Sequence, residues 1–536
     1  MNRYALLSVY DKTNIVDFAK KLTQHGYEII STGGTAKTLE ENGIKIVPIQ
    51  DITGNPESFD GRMKTISFQI ESGILFDRSN SHHVKQAEDL NVLPIDIVIC
   101  NLYPFEKTIE KPSVSLDEAI ENIDVGGPTM VRAAAKNFKH VLVVVDPKDY
   151  ERVGEMVQSI HRHSGESKLV DDSRIKDPGQ ARMTLHQELA AKAFAHLSFY
   201  DAQIARYFTK ELFPTELTIP GRKLFELRYG ENPHQKGAVY LFPNTNSPLQ
   251  HLQNQWGREL SHVNVTDINA GLESVRLFEQ PCATVIKHNC PCGIAVGNTT
   301  KEALERAIAA DPESAFGGII VLNKPMDKET AEVIGVFKDE KKANIDIVAV
   351  PSIEQDALEY LKTVRKTMGI YTFGDIPAKR NHDEHIKFID GGFIYQTGDN
   401  DIDAGFVDWK VVTKKQPTSQ QMEQMKTAWK FITRIKSNAI IIVDKDVPMT
   451  RGIGTGQTSR VRSTKIALEQ AGKHAKGAIL ASDSFFPFDD SVKFAAESGI
   501  SAIVQQGGSI NDQASIDAAD NADMVMVMTN RRAFWH

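Results

Sequence analysis

A lysine–histidine pair in the second half of the chain has the residue types of an acid–base catalyst. The stretch KHNCPCG covers residues 287–293 and follows the apolar run ATVI. A neutral imidazole, with a pKa near ~6.5, can accept a proton at physiological pH. Residues that end a buried strand reach the edge of a sheet, where ligands gather. Lys287 and His288 are therefore candidate catalytic residues, although a lone histidine is more often structural.

Two cysteines follow this pair and raise the question of a metal or redox site. Cys290 and Cys292 are separated only by Pro291, whereas zinc and redox motifs use wider spacings such as Cys-x-x-Cys. Cys100 and Cys282 offer no second pair. Pro-Cys matches part of the zinc-deaminase signature H-x-E … P-C-x-x-C, but no H-x-E lies near by. We expect no zinc and no other metal, and a zinc-dependent deaminase is the rival enzyme.

The bulk composition is that of a large globular protein. A chain of 536 residues is too long for one hydrophobic core, so we expect about three or four packing units in two functional domains. A net charge of −8 argues against non-specific binding to nucleic acid or to an anionic membrane. The cysteines form no disulfide framework, and the N-terminus lacks the apolar core of a signal peptide. We expect a cytoplasmic protein without nucleic-acid or membrane partners.

The candidate residues must be positioned by α/β domains. In residues 1–150, strand-like ALLSV, YEIIS, IDIVICNLY and HVLVVVD alternate with amphipathic helical segments, which is typical of a doubly wound parallel sheet. The polar stretch 161–182 predicts an exposed loop. The pattern breaks near 208–222, so we predict domains at 1–208 and 209–536. The second domain contains further βα patterns, among them ATVIKH and NAIIIV.

Two short turns in the first domain suit a phosphate group. SVYDKT and STGGT each follow a strand and precede a helix, where free N–H groups and the helix dipole attract anions. Lys12 and the hydroxyls of Ser8, Thr32 and Thr35 add donors. One such turn is more often a simple tight turn, but two in one sheet favour an anion site.

Further motifs place polar residues beside glycines or at predicted strand ends. They are DGRMKT, CNLYPF, NIDVGGPT and RAAAKN. Lysine and tyrosine in such places suit proton transfer in a pocket for an anionic ligand. Taken singly, each such polar side chain is more often a solvated surface residue, and only the set suggests a site. The residues concerned are Arg62, Lys64, Tyr103, Asp124 and Lys136.

These motifs, in this order, resemble those of a known enzyme family. NLYPF, IDVGGPT and RAAAKN are similar to the inosine monophosphate (IMP) cyclohydrolase domain of bifunctional purine-biosynthesis enzymes. The other half of those enzymes is aminoimidazole carboxamide ribonucleotide (AICAR) formyltransferase. The resemblance continues through LRYGENPHQ, KHNCPCG, SAFGGII, KSNAI, GIGTGQTSR, SDSFFPF and QGGSIND. It implies a methylglyoxal-synthase-like parallel-sheet domain followed by a duplicated cytidine-deaminase-like α/β domain without zinc.

In the first domain the resemblance implies a cyclohydrolase site. The expected reaction is attack of a carboxamide nitrogen on a neighbouring formyl carbon, followed by loss of water. The catalytic residues that it implies are Lys64, Tyr103, Asp124 and Lys136. The nucleotide-binding residues are Ser8, Lys12, Thr32, Gly33, Gly34, Thr35, Arg62 and Thr65.

In the second domain the resemblance implies formyl transfer from 10-formyltetrahydrofolate, a co-substrate, to AICAR, with no tightly bound cofactor. His288 is the implied base on the substrate amine, Lys287 assists it, and Asn438 supports the oxyanion or His288. The family also implies a homodimer with this site at the subunit interface. The implied substrate-binding residues are Arg228, Tyr229, Phe316, Gly317, Asp346, Arg460, Phe485, Asp490, Arg532 and Phe534.

The first domain departs from the family pattern. Relatives usually read SVSDKT where this chain has SVYDKT, so bulky Tyr10 replaces a small serine. Ser67, Phe68 and Glu71 stand where His, Pro and His are expected, and Glu71 would bring negative charge if it faced the pocket. We expect ring closure to be retained with weaker binding. In the alternative, the chain is a formyltransferase only, and its N-terminal domain is a nucleotide-binding regulatory module.

Overall fold

The alternation of apolar strands and amphipathic helices expected from the sequence recurs throughout the structure. The structure is a computed structural model that describes residues 3–56, 58–59, 63–165, 178–341, 344–377, 380 and 382–536. The chain divides into two compact units. The first is Met1–Gly221 with Phe242–Asn244, and the second is Arg222–Leu241 with Thr245–His536.

The first unit is built on a five-stranded sheet with the order β3-β2-β1-β4-β5, in which every pairing is parallel. Its strands are β1 (Arg3–Val9), β2 (Tyr27–Ser31), β3 (Ile46–Pro48), β4 (Ile95–Asn101) and β5 (Leu142–Val144). Its helices are α1 (Ile15–Gln24), α2 (Gly33–Glu41), α3 (Ile49–Thr53), α4 (Phe68–Leu75), α5 (Ser81–Asp89), α6 (Phe105–Ile109), α7 (Leu116–Glu121), α8 (Gly126–Lys136), α9 (Tyr150–Gly165) and α10 (Pro178–Phe208). The predicted doubly wound parallel sheet is confirmed.

Both faces of this sheet are buried, which explains its nearly continuous apolar strands. Leu6 and Val98 face a core that α8 and the second half of α10 cover. Leu7 and Ile99 face the core under α1 and α9. Because the strands are parallel, the carboxyl ends of β1, β2 and β4 meet at one edge.

The loop predicted at 161–182 is wrong at both ends. Helix α9 continues to Gly165 and α10 begins at Pro178. Residues 166–177 lie outside the described part. The core contacts of α10 start only at Leu185, so its first turns lack the apolar periodicity that would reveal a helix.

The second unit contains two six-stranded sheets. The strands of the first sheet are β8 (Gln253–Trp256), β9 (Cys282–Lys287), β10 (Cys290–Val296), β11 (Gly318–Leu322), β12 (Ile345–Val350) and β13 (Gly369–Thr372). Those of the second are β16 (Lys410–Val411), β17 (Ile440–Val443), β18 (Thr450–Gly454), β19 (Ile479–Ser482), β20 (Ala502–Gln505) and β21 (Val525–Met528). Two antiparallel hairpins stand apart from the sheets, β6 (Arg222–Glu226) with β7 (Ala238–Leu241), and β14 (Glu384–Ile389) with β15 (Gly392–Thr397).

The helices of the second unit fall in the same places in both halves. The first half has α11 (His262–Val275), α12 (Thr300–Ala310), α13 (Lys328–Lys341) and α14 (Gln355–Val364). The second has α15 (Ser419–Ile432), α16 (Arg460–Ala471), α17 (Asp490–Glu497) and α18 (Asp512–Asn521). Short 3-10 helices cover Pro248–His251, Asp403–Asp408 and Gly472–Ala475 in this unit and Pro147–Asp149 in the first unit. None of the described helices combines the length and the apolar character needed to cross a membrane.

The two sheets have one topology. Their orders are β10-β9-β11-β12-β13-β8 and β18-β17-β19-β20-β21-β16. In each, a hairpin is followed by an antiparallel pairing, two parallel pairings and a final antiparallel strand. The domain is therefore duplicated, as the resemblance implied.

The halves join where β10 meets β18. Ala295 bridges Met449, and the N–H of Ile294 donates to Thr450 Oγ1 at 3.2 Å. One hydrophobic core contains residues of both sheets, among them Ile319 and Ile441. The junction holds the hairpin of one half against the hairpin of the other.

Glu71, on α4, is an unusual feature of the first unit. Its Oε1 is buried without a hydrogen-bond partner in the described part of the chain. Burial raises the pKa of this carboxyl from 4.5 to about 7. A group with a raised pKa stabilises the fold below its unfolded pKa, and that contribution is lost as the pH rises through the folded value.

We predict that Glu71→Gln raises the melting temperature more at about pH 8 than at about pH 5. With allowance for solvent screening, we expect about 1 kcal/mol, or roughly 2–4 °C in Tm. Differential scanning calorimetry at the two pH values measures this, with the exposed Glu40→Gln as the matched control. An equal shift at both pH values would contradict the assignment.

Candidate active sites

A cavity of about 520 Å³ lies at the carboxyl edge of the parallel sheet in the first unit. Its walls are the ends of β1, β2 and β4 and the loops that follow them. Ten residues predicted from the sequence line it together: Ser8, Lys12, Thr32, Gly33, Gly34, Thr35, Lys64, Thr65, Tyr103 and Asp124. The sequence interpretation missed other lining residues, which include Asn101, Ile120, Glu121, Ile123, Val125, Gly126 and Gly127.

The two glycines that begin α2, Gly33 and Gly34, lie between two lysine ammonium groups. A Cβ placed on Gly33 would be 3.7 Å from Lys64 Nζ, and one on Gly34 would be 3.7 Å from Lys12 Nζ. Gly33 has a φ of 55°, which favours glycine. Thr32 is buried, and its Oγ1 has no partner among the described residues. First-turn N–H groups and two ammonium groups give this end of the cavity the chemistry that favours an anion.

Asn101, at the end of β4, fixes the other turn. Its Oδ1 accepts from the N–H groups of Tyr10 at 2.7 Å and Asp11 at 2.8 Å. The Tyr10 ring, half exposed, meets Tyr103 edge to face with centroids 5.6 Å apart. Tyr10 therefore lines the cavity through a ring contact that a serine would lack. The signal for Asn101 was present in the sequence, because it opens NLYPF at a predicted strand end.

Asp124 occupies the opposite wall of the cavity. Its Oδ1 accepts from the N–H of Gly127 at 2.8 Å, and its own N–H donates to the Tyr200 hydroxyl at 2.8 Å. Burial raises the pKa of Asp124, while the N–H donors of Gly127 and Tyr103 oppose the shift. This carboxyl therefore keeps its proton to a higher pH than an ordinary aspartate does.

Two predicted residues are not grouped with the cavity. Lys136 is the exposed last residue of α8, nine residues beyond Gly127, or about 14 Å along a helix. Arg62 lies outside the described residues. Of the family departures, Ser67 is the N-cap of α4, where its hydroxyl accepts from the N–H of Ile70 at 3.2 Å. Glu71 is not among the residues lining the cavity.

In the second unit, His288 occupies a tight hairpin turn. Lys287 pairs with Cys290, so His288 and Asn289 are the two central residues between β9 and β10. Their φ angles are 57° and 61°, as in the type I′ turn typical of two-residue hairpins. The left-handed conformation costs a non-glycine residue roughly 1–2 kcal/mol, so the turn needs outside support. His288 is exposed at its tip.

Asp267, on α11, supplies that support. Its Oδ1 accepts from the N–H of Asn289 at 2.6 Å, and its carboxylate also accepts from the N–H of His288. The carboxyl is buried, and burial raises its pKa while these N–H groups lower it. Nothing in the helical stretch HVNVTDINAGLE marked Asp267 in advance.

Lys287 points along the same edge of the first sheet. Its Nζ donates to the carbonyl of Phe316 at 2.8 Å. Gly317 follows with a φ of 72° and leads into β11. Since β9 runs antiparallel to β11, the pair lies where the parallel strands begin. The expectation that ligands gather at the carboxyl ends of parallel strands is therefore wrong for this half.

In the second half of this unit, the candidate residues lie at the carboxyl ends of the parallel strands. Asn438 lies just before β17, where its Nδ2 donates to the Gln457 carbonyl at 3.0 Å and its Oδ1 accepts from Arg460 Nη2 at 2.8 Å. Arg460 is buried and also bonds Asp483, whose carboxylate accepts from the N–H of Ala439 at 2.9 Å. Arg460 therefore holds the KSN segment in place.

One contact and one charge interaction link the two edges. Cys290 Sγ lies 3.6 Å from Thr455 Oγ1, and that hydroxyl donates to the carbonyl of Lys436 at 2.8 Å. The positive charge of Lys436 also lowers the pKa of Asp267. The hairpin with His288 and the segment 436–438 are thus neighbours.

The two cysteines face different partners. Cys290 meets Thr455, whereas Cys292 Sγ lies 3.6 Å from the carbonyl of Ser314. Burial raises the pKa of both thiols, that of Cys292 to about 12. In the described ranges no three His, Cys, Asp or Glu side chains are grouped to hold a metal ion.

The remaining predicted residues lie on strands, helices and loops of the second unit. Arg228 stacks on Tyr229, with its guanidinium carbon 4.7 Å from the ring centroid. Asp346 pairs with Arg258 at 2.9 Å. Arg532 stands 4.3 Å over the ring of Phe534, beside Ala533, whose N–H donates to the Asp483 carbonyl. Phe485 follows β19, and Asp490 begins α17.

Comparison with known proteins decides the family. The sequence profile described as "AICARFT/IMPCHase bienzyme" matches residues 134–470, and that described as "MGS-like domain" matches residues 14–129. The "Bifunctional purine biosynthesis protein PurH" of Oceanobacillus iheyensis is 43% identical over 541 residues, with 100% of both chains covered. The chain belongs to the family of bifunctional purine biosynthesis enzymes.

A further relative and a solved structure are also similar to this chain. The protein of the same name from Bacillus subtilis is 43% identical over 99% of both chains. A solved structure titled "Crystal structure of ForH" is 31% identical and covers 39% of this chain and 100% of its own, with a TM-score of 0.33 that is too low for structural comparison. The chain is thus a formyltransferase and cyclohydrolase, and the function expected from the motifs is confirmed.

We predict that Asp267→Ala lowers kcat for formyl transfer by about 10²-fold, the effect of misplacing a catalytic group by roughly 1 Å. Asp267→Asn keeps an acceptor oxygen and should lose less. Steady-state assays of both reactions measure this, and the cyclohydrolase rate is the internal control because we propose that this activity belongs to the cavity of the first unit. Equal losses in both reactions would indicate general unfolding and contradict a positioning role.

Proposed function

We propose that the duplicated second unit transfers the formyl group of 10-formyltetrahydrofolate to AICAR with His288 as the general base. The observation that carries this proposal is the exposed His288 ring on a hairpin whose backbone Asp267 fixes. An aromatic amine conjugated with a carboxamide-bearing ring is a poor nucleophile, so it must lose its proton as it attacks. An imidazole at the tip of a rigid turn suits that step.

The neighbouring groups supply the remaining steps. The Lys287 ammonium, held by the Phe316 carbonyl, places positive charge beside the reacting carbon and can return a proton to the folate nitrogen. Asn438 has its amide oriented by Gln457 and Arg460, which supports a role next to the oxyanion. Arg460 acts as a positioning residue, because its guanidinium is bound to protein groups.

The substrate-binding surface is formed by exposed aromatic and cationic residues. Phe316 is half exposed, and Phe534 carries Arg532 on its face. Flat rings and guanidinium groups suit the imidazole, the pterin and the phosphate of the two substrates. The exposure of His288 and Phe316 supports a site completed by a second subunit, so we propose a homodimer. The proposed partners are the ribonucleotide and the folate.

The first unit closes the ring of the formylated product in its 520 Å³ cavity. The glycine turn with Lys12 and Lys64 suits the ribonucleotide phosphate. Tyr103 and Lys64 are the donors proposed for the formyl oxygen, which becomes the departing hydroxyl. Asp124, with its raised pKa, is the group proposed to take the carboxamide proton. Lys136 and Arg62 remain predictions from the resemblance alone.

We predict that His288→Ala lowers the rate of formyl transfer by about 10²–10⁴-fold, the usual range for a general acid–base group. The exposed His474→Ala, at another face of the unit, should leave the rate unchanged. The assay follows tetrahydrofolate release by the full chain. An unchanged rate in His288→Ala would remove the proposed base.

The same variant tests the first unit. Given formylated AICAR and no folate, His288→Ala should form IMP at the wild-type rate, because ring closure needs no transfer step. Lys64→Met in this background should slow IMP formation by about 10²–10³-fold, the effect of losing one oxyanion donor. Absence of IMP from the well-folded parent would favour the regulatory-module alternative.

A further inference from the structure

A second cavity, of about 300 Å³, lies at the opposite edge of the same parallel sheet, where the strands begin. It shares no lining residue with the cyclohydrolase cavity. Its polar lining comes from the starts of β1, β2 and β4, the loop after α4 and the first turns of α10. These residues are Arg3, Tyr27, Asp96, Arg78, Arg182 and His186.

Arg78 is rigidly held on one wall. Its Nη1 donates to Asp96 Oδ1 at 2.8 Å and to the His140 carbonyl at 2.7 Å, and its Nη2 donates to the Ile95 carbonyl at 2.6 Å. Its Nε–H is buried and has no acceptor among the described residues. A buried donor without a partner costs about 1–3 kcal/mol.

Arg3 and Arg182 add positive charge that is not neutralised. Asp96 is paired with Arg78, and the described part of the chain gives neither Arg3 nor Arg182 a carboxylate within ion-pair distance. Arg3 lies opposite Tyr27 in the strand register, with its guanidinium carbon 5.8 Å from that ring. Like charges in one cavity repel one another, so an anion there would be stabilising.

His186 completes the lining. The residue is 3% exposed, and its Nδ1 lies 2.7 Å from the Phe138 carbonyl. Because a carbonyl only accepts, Nδ1 carries the proton and Nε2 is left as an acceptor. Nε2 is buried with no partner among the described residues. Arg182 lies four residues earlier on α10, on the same face.

We propose that this cavity binds a phosphate group, free or esterified, at a second anion site of the first unit. Arg3 and Arg182 donate hydrogen bonds to the phosphate oxygens and balance their charge, and the Arg78 guanidinium adds positive charge to the cavity wall. At ~30 Å³ per water the cavity holds about ten waters, so a sugar-sized ester also fits.

Isothermal titration of the full chain with inorganic phosphate and, separately, with ribose 5-phosphate tests the proposal. We expect a binding event whose Kd rises about 10–100-fold in Arg182→Gln, the loss of one hydrogen bond to a charged group. Arg3→Gln, a second variant of the same cavity, should act in the same direction. The surface variant Lys20→Gln makes the same charge change and should have no effect.

The two ligands and the arginine variants distinguish the possible results. Tighter binding of ribose 5-phosphate would show an esterified ligand, and equal binding would show that the phosphate group suffices. Binding unaffected by both arginine variants, in proteins of unchanged melting temperature, would overturn the proposal. The cyclohydrolase KM should be unchanged in Arg182→Gln, so failure of this site is distinguishable from failure of the cavity at the carboxyl edge.

Discussion

The proposed formyltransferase site depends on one buried carboxylate. Asp267 accepts hydrogen bonds from the N–H groups of His288 and Asn289, two successive residues in the left-handed conformation. Without an acceptor at that point, the turn would carry roughly 1–2 kcal/mol of backbone strain per residue and two unsatisfied donors. With it, the imidazole is presented on a rigid hairpin. The cost of burying a charge on α11 is only partly offset by these donors and by the nearby Lys436, because burial still raises the pKa of Asp267.

The duplicated topology explains why the proposed formyltransferase site draws on opposite sheet edges. Each half has the same strand order, and β10 of the first half runs antiparallel against β18 of the second. That arrangement brings the start of β10 to the end of β18, so Cys290 meets Thr455. The first half then supplies a histidine from a turn, and the second an asparagine and a buried arginine from a strand edge. A single copy of the fold would lack one of these groups.

Much of the fold could be predicted because its signals are local. Central strands such as IDIVICN are apolar on both faces, and the two phosphate turns are short motifs whose residues do line one cavity. The prediction of a loop at 161–182 was wrong because the exposed first turns of α10 carry no apolar periodicity. The direction of β9 could not be predicted either, because nothing in ATVIKH shows that this strand runs antiparallel to β11. Asp267 was missed because its role exists only once distant segments fold together, and Asn101 was missed although it opens NLYPF at a predicted strand end. His288 was a candidate from its residue type and its place at a strand end, whereas Asn438 came from the family resemblance.

The central claim is that loops from the two repeats form one formyltransferase site. A double-mutant cycle with His288→Ala and Asn438→Ala, read as kcat/KM for formyl transfer, tests it most directly. Groups acting on the same intermediate should be non-additive, with the double variant falling below the poorer single variant by less than about 0.5 kcal/mol of transition-state stabilisation. Losses that multiply in full would mean that the hairpin and the KSN segment act independently, and would contradict this account.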